Sequence, residues 1–105
     1  MATLAKAHLP FFEVIASGGK QQCKSIMQSL NRGQVNAICE VLLNARYGFI
    51  EVGEEVKTKL KRKKSLIMLL TTKSSTLKER RAAITKHCAF IVSVLKELIE
   101  KIKQA

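Results

Sequence analysis

The stretch LKERRAAITKHCAFIVSVLKELIEKI, residues 77–102, decides the fold. Leu77, Ile84, Cys88, Ile91, Leu95, Leu98, Ile99 and Ile102 recur at intervals that put them on one face of an α-helix. Strand side chains alternate with a period of two and could not reproduce the pattern. The periodicity holds for about seven turns, so it fits one long amphipathic helix or two with a break near His87.

Working back toward the N-terminus, Thr72-Lys73-Ser74-Ser75 reads as a short turn. Ser75 or Thr76 can cap the last helix, and Thr76 with Glu79 has the spacing of a capping box. A fourth helix is expected from about Glu54 to Thr72, with Glu54 and Glu55 at its positive end and Lys73 beyond its negative end. Residues 34–46 form a third helix, in which Val35, Ile38, Leu42 and Ala45 make a stripe that Cys39 and Leu43 widen nearly all round. Such a helix belongs at the centre of a core. The connector Tyr47–Gly53 offers Phe49, Ile50 and Val52 as plugs for that core. Residues 20–31 make a second helix with Cys23, Ile26, Met27 and Leu30 on one face, closed by Asn31-Arg32-Gly33. A first helix runs from a Thr3 cap to about Ala16 and ends at Ser17-Gly18-Gly19. Pro10 either breaks it or marks its true start. The expectation is all-α: one domain over residues 1–105, a compact bundle of about five helices, the last long and amphipathic.

Composition agrees. The chain is 47% apolar, with one proline, no tryptophan and five aromatic residues, which favours helices over a β-sandwich or barrel. Cys23, Cys39 and Cys88 are odd in number and lack paired spacing, which fits buried thiols in a reducing, intracellular setting. Lys6, His8, Pro10 and Glu13 interrupt the apolar residues near the start, so a signal peptide is not expected. No apolar run approaches the roughly 20 residues of a membrane span.

The net charge of +11 is concentrated rather than spread. Across residues 1–56 five basic residues balance five glutamates, whereas residues 57–86 hold eleven basic residues against Glu79 alone. Lys57, Lys59, Lys61, Arg62, Lys63 and Lys64 come first, and Lys73, Lys78, Arg80, Arg81 and Lys86 follow the turn. At 100° per residue, Lys57, Lys61 and Lys64 share one side of a helix, and Lys59 and Arg62 another. Lys63 falls among Val56, Leu60 and Ile67, where only snorkelling could bring its charge to water. Such a field draws a polyanion. If helices four and five form a hairpin, the two clusters make a strip, several nanometres long, able to follow a phosphate backbone. No helix-turn-helix signature, zinc-finger spacing or aromatic-rich RNA platform is present, so contact without sequence preference is expected.

Catalytic constellations are missing. His8 and His87 lie in no metal-binding spacing. His87 and Cys88 diverge by about 100° on a helix and cannot pair as base and nucleophile. Ser17-Gly18-Gly19-Lys20 lacks the spacing of a phosphate loop. The chain has no aspartate. A non-enzyme without cofactor or metal is expected.

The run Val35–Arg46, taken with its surroundings, resembles the small basic proteins of adenovirus-like DNA transposons, the Polinton/Maverick elements and their adintovirus relatives. The resemblance rests on Leu-Ala-Lys-Ala-His at Leu4–His8 and the helix Ala37–Asn44. It extends over the basic helix Val56–Leu70, the turn Lys73–Arg81 and the apolar segment Ile84–Leu95. It implies a virion- or element-associated role like that of the adenoviral pX core protein, with DNA as the favoured nucleic acid and the nucleus or virion as the location. One departure matters: His87-Cys88-Ala89-Phe90 stands where the family pattern has Gly-Gly-Phe-Leu, and a charged amphipathic helix follows. That favours a tail folded into the domain or a partner over a membrane-active one.

Two functions compete. In the first, Lys57, Lys59, Lys61, Arg62, Lys64, Lys73, Lys78, Arg80, Arg81 and Lys86 contact nucleic-acid phosphates. In the second, Ile91, Leu95, Leu98, Ile99 and Ile102 form an interface with a second copy or a viral structural protein. Binding to an anionic membrane ranks last, since helix four lacks a clean amphipathic face.

Overall fold

Seven α-helices and no strand form among the described residues, which in this computed structural model are 6–48 and 50–104, Lys20 by its backbone alone. They are α1 (Leu9–Ser17), α2 (Lys20–Gln28), α3 (Arg32–Arg46), α4 (Glu54–Arg62), α5 (Lys64–Thr71), α6 (Leu77–Lys86) and α7 (Cys88–Gln104). The chain is all-α as expected. Among the described residues the count of about five is corrected to seven: the fourth expected helix breaks at Lys63, and of the two readings left open for the last one, the break near His87 is the one present.

Local chemistry explains the boundaries. Pro10 sits in the first turn of α1, where its missing N–H costs nothing and its fixed φ suits the helix. The Thr3 cap lies outside the described residues. Gly18 closes α1, its N–H bonding Val14 O at 3.0 Å. The α2 helix ends at Gln28, three residues early, because Asn31 serves the next helix instead. Asn31 Oδ1 accepts from the Gln34 N–H at 2.8 Å, and Gln34 Oε1 accepts from the Asn31 N–H at 3.0 Å. This capping box makes Arg32 and Gly33 the first turn of α3 rather than the end of α2. The box foreseen at Thr76 and Glu79 is present, with bonds of 3.1 and 2.9 Å. After α3, Gly48 takes φ +82°, a left-handed conformation that favours glycine, and turns the chain toward α4.

The two breaks have one cause each. At Lys63 (φ −103°, ψ 30°) the helix pauses, the Lys63 N–H reaching both Lys59 O and Leu60 O at 3.2 Å. Val56, Leu60 and Ile67 on either side are buried, so Lys63 is the one charge in an apolar row. Its half-buried side chain carries the ammonium out to the Phe90 ring, 5.8 Å from the centroid, and to His87 Nδ1 at 3.4 Å. The second break is at His87 (φ −106°, ψ 26°). Unbroken, residues 77–104 would span about 42 Å at 1.5 Å per residue, against a longest extent of 29 Å for the domain. The bend lays the second half back over the core.

That core is wholly apolar among the described residues. The α3 helix supplies Val35, Ala37, Ile38, Cys39, Val41, Leu42 and Ala45 and packs against α4, α5 and α6. The α7 helix runs along α1 and α2, and α6 lies against α2, α3 and α5. Ile50 plugs the core from the connector, Val52 is half-buried, and Phe49 lies outside the described residues. Burial pushes the Cys39 thiol up to about 11, against the pull of the Arg80 guanidinium.

The expected interface is corrected. Ile91, Leu95 and Ile102 are completely buried, Leu98 is 1% exposed and Ile99 8% exposed. The bend at His87 turns this stripe onto the chain's own core, and α7 shows solvent Lys96, Glu97, Glu100, Lys101 and Lys103 instead. Leu95→Ala is therefore expected to cost about 2–5 kcal/mol of stability. Its denaturation midpoint should not depend on protein concentration; dependence would return Leu95 to an intermolecular seam.

Candidate nucleic-acid interface

Lys57, Lys59, Lys61 and Arg62 stand on α4 and Lys64 opens α5. Lys73 lies in the turn, and Lys78, Arg80, Arg81 and Lys86 project from α6. The α5 helix packs on both α4 and α6 and so links the two clusters. The domain's 29 Å extent shortens the expected strip of several nanometres. About eight phosphate steps along one strand, at 3.4 Å each, cover that distance.

The ten residues are not equivalent. Lys57 pairs with Glu54 and Lys59 with Glu55, both at 3.5 Å, with Lys57 and the two glutamates exposed and Lys59 half-buried. Pairs of this kind contribute little and exchange readily for another anion. Two of the three arginines, Arg80 and Arg81, have structural duties. Arg80 Nη2 donates to Thr72 O at 2.8 Å and its Nε donates to Ser75 Oγ at 2.9 Å, closing the end of α5. Arg81 Nε donates to Leu30 O at 2.8 Å, just beyond the end of α2. A cation at a helix C-terminus complements the dipole and fills carbonyls the helix leaves open. Lys61, Arg62, Lys64, Lys73, Lys78 and Lys86 are exposed and make no ion pair or side-chain hydrogen bond among the described residues. Glu79, the segment's single carboxylate, is committed to its cap, and the Thr76 N–H and hydroxyl hold it below its ordinary value.

Two cations absent from the linear segment join by folding. Lys24 on α2 meets Lys86 around an open depression of about 740 Å³, with Gln21, Thr85, Cys88 and Ala89. Arg46 ends α3 beside Lys57 and Lys61. Residues 1–56 are neutral as a whole, so no linear count of charge reveals either one.

At the junction of the two clusters, desolvation and the charges of Lys63 and Lys86 hold His87 below its ordinary value. Neutral Nδ1 accepts from the Lys63 ammonium. Among the described residues no cluster of histidine, cysteine and glutamate could hold a metal ion, and no helix is long and apolar enough to cross a membrane. Compared with protein-family models, curated proteins and solved structures, the chain shows no match.

Two outcomes follow from this geometry. Arg80→Ala and Arg81→Ala should each lower stability by about 1–3 kcal/mol yet leave the salt dependence of polyanion binding nearly intact. Lys64→Ala and Lys78→Ala should do the reverse, as thermal melts and salt titrations together would show. For His87, the lowered folded-state value means the unfolded chain binds the proton first as pH falls. Stability is then full above about pH 6.5 and drops as pH falls toward the folded value. His87→Gln should flatten that slope, measured as the denaturation midpoint between about pH 7 and 5.

Proposed function

We propose that this chain is a non-enzymatic basic protein that binds nucleic acid through its phosphates, without sequence preference. The observation that carries the reading is the set of six exposed cations, Lys61, Arg62, Lys64, Lys73, Lys78 and Lys86, which make no ion pair among the described residues. Solubility alone is served by surfaces of mixed sign, and a one-signed surface raises the self-repulsion of the folded state. A polyanion relieves that repulsion and releases its own counterions.

On the resemblance to the basic proteins of Polinton-like elements, the partner is genomic DNA and the role that of a genome-associated core protein in the nucleus or virion. The Ile84–Leu95 segment of that resemblance is folded into the domain. The amphipathic stripe of the last helix then serves as scaffold for the charged surface, and no specific observation favours a docking role for it.

Contact by six cations gives a slope of log K against log salt near −5, a loss of about 10³-fold between about 50 and 200 mM salt. The test titrates duplex DNA, RNA and anionic vesicles side by side. The triple variant Lys61→Glu, Arg62→Glu, Lys64→Glu should weaken every duplex sequence alike. An affinity flat across that salt range, or vesicles binding more tightly than DNA, rejects the proposal.

A further inference from the structure

Three surface depressions share walls and so form one groove. Thr85 lines both a depression of about 350 Å³ between α2 and α6 and the neighbouring one of about 740 Å³. Cys88 and Ala89 line the latter together with a third of about 220 Å³, which reaches the end of α1 at Gly18. The groove follows the seam along which α2 packs on α6 and then on α7.

Its charge is of one sign. Lys78, Arg81, Lys24, Lys86 and Lys96 line it, and no carboxylate stands among the described residues that do so. Arg81 is already committed to Leu30 O. The four lysines are exposed and make no ion pair among the described residues. Lys24 and Lys96 come from outside the basic segment 57–86, and folding alone brings them into line with Lys78 and Lys86. Gln21 and Gln28 add neutral polar groups, and Gly18, Ala82 and Ala89 keep much of the remaining lining small.

A continuous groove of one sign suits a chain of repeated negative charge, either an acidic peptide or a nucleic-acid strand. An extended peptide is held by backbone hydrogen bonds at a sheet edge, and a helical one by apolar anchors seated in a groove. Helical walls spend their backbone groups within the helices, and a lining of glycine and alanine offers an anchor little to bury against. A phosphodiester strand needs neither, since charged and polar side chains on its phosphates suffice.

We propose that this groove takes the sugar-phosphate backbone of one nucleic-acid strand, held by Lys24, Lys78, Lys86 and Lys96. The inference rests on the phosphate-binding reading above and adds to it a path and two further contacts, Lys24 and Lys96.

The test uses the full chain and duplex DNA. Two contacts beyond the six steepen the slope of log K against log salt from about −5 to about −7. The pair Lys24→Gln, Lys96→Gln should return it to about −5. The pair Lys101→Gln, Lys103→Gln removes equal charge from the far end of α7, outside the groove, and should leave the slope steep. Helix content by circular dichroism checks that each variant folds. Cys88 gives a second readout, because its half-buried thiol lines the groove where two depressions meet, whereas Cys23 and Cys39 are buried. Bound duplex should slow alkylation of Cys88 by iodoacetamide, an uncharged reagent, and high salt should restore the rate. A slope that Lys24→Gln, Lys96→Gln leaves unchanged, or a Cys88 alkylated equally fast in the complex, overturns the groove while phosphate binding stands. Polyglutamate binding more tightly than a duplex of equal charge overturns it in favour of an acidic protein. An affinity for duplex that is flat across the salt range overturns both readings.

Discussion

A helix of the length written into residues 77–104 cannot be covered by a domain 29 Å across unless it bends, and the rest of the structure follows from where it does. The bend at His87 faces the break at Lys63, and the two meet through the 3.4 Å contact of Lys63 Nζ with His87 Nδ1. The Phe90 ring receives the same ammonium one turn into α7. Magnitudes show why bending wins. A break forfeits on the order of one backbone hydrogen bond, worth about 1 kcal/mol net. Each isoleucine or leucine that the bend brings into the core contributes about 1.5–3 kcal/mol. Ile91, Leu95, Leu98 and Ile102 all enter by this route. The junction also separates two kinds of element: α5 and α6 close as a pair over one turn, while α4 and α7 leave it toward α3 and α1.

The charges are arranged around this frame and do not build it. The ion pairs Glu54–Lys57, Glu55–Lys59 and Glu100–Lys103 join residues three or four apart on helix surface, exposed but for the half-buried Lys59. Contacts so local and so solvated contribute little to stability. Beyond the Lys63–His87 contact, long-range polar anchoring falls to arginine, with Arg81 reaching Leu30 across the fold. A planar guanidinium presents its donors in a fixed fork and loses little freedom per bond, whereas lysine is a hydrated point charge on a mobile stem. The lysines of α4 to α6 are thus left to solvent or to an anion.

How much of this was legible in the sequence depends on the range of the forces involved. Helical periodicity is a local property, so the class of fold and the central place of α3 could be read directly. The Thr76–Glu79 cap was equally plain. The Asn31–Gln34 cap has the same reciprocal geometry, yet Asn31-Arg32-Gly33 also looks like a helix end. Only the bonds show which helix Asn31 serves. Lys63 was visibly misplaced on its apolar face, but the sequence held no hint that Phe90 and His87, some two dozen residues away, would receive it. The break at His87 was one of two readings open for residues 77–102, because apolar periodicity continues across a bend and does not by itself tell one helix from two.

The same reasoning applies to the candidate interface, with an added lesson about counting charge. A linear tally weights every basic residue alike, and it placed Arg80 and Arg81 among the ligands of a polyanion. Their guanidinium groups are instead drawn to carbonyls at the ends of α5 and α2, a need set by helix termini and invisible to charge counting. The tally also passed over Lys24 and Arg46, since each lies in a neutral stretch of chain. Tertiary packing brings Lys24 to Lys86 and Arg46 to Lys57 and Lys61. The electrostatic surface is therefore a product of the bundle, with some of its cations withdrawn into structure and others recruited from the neutral half.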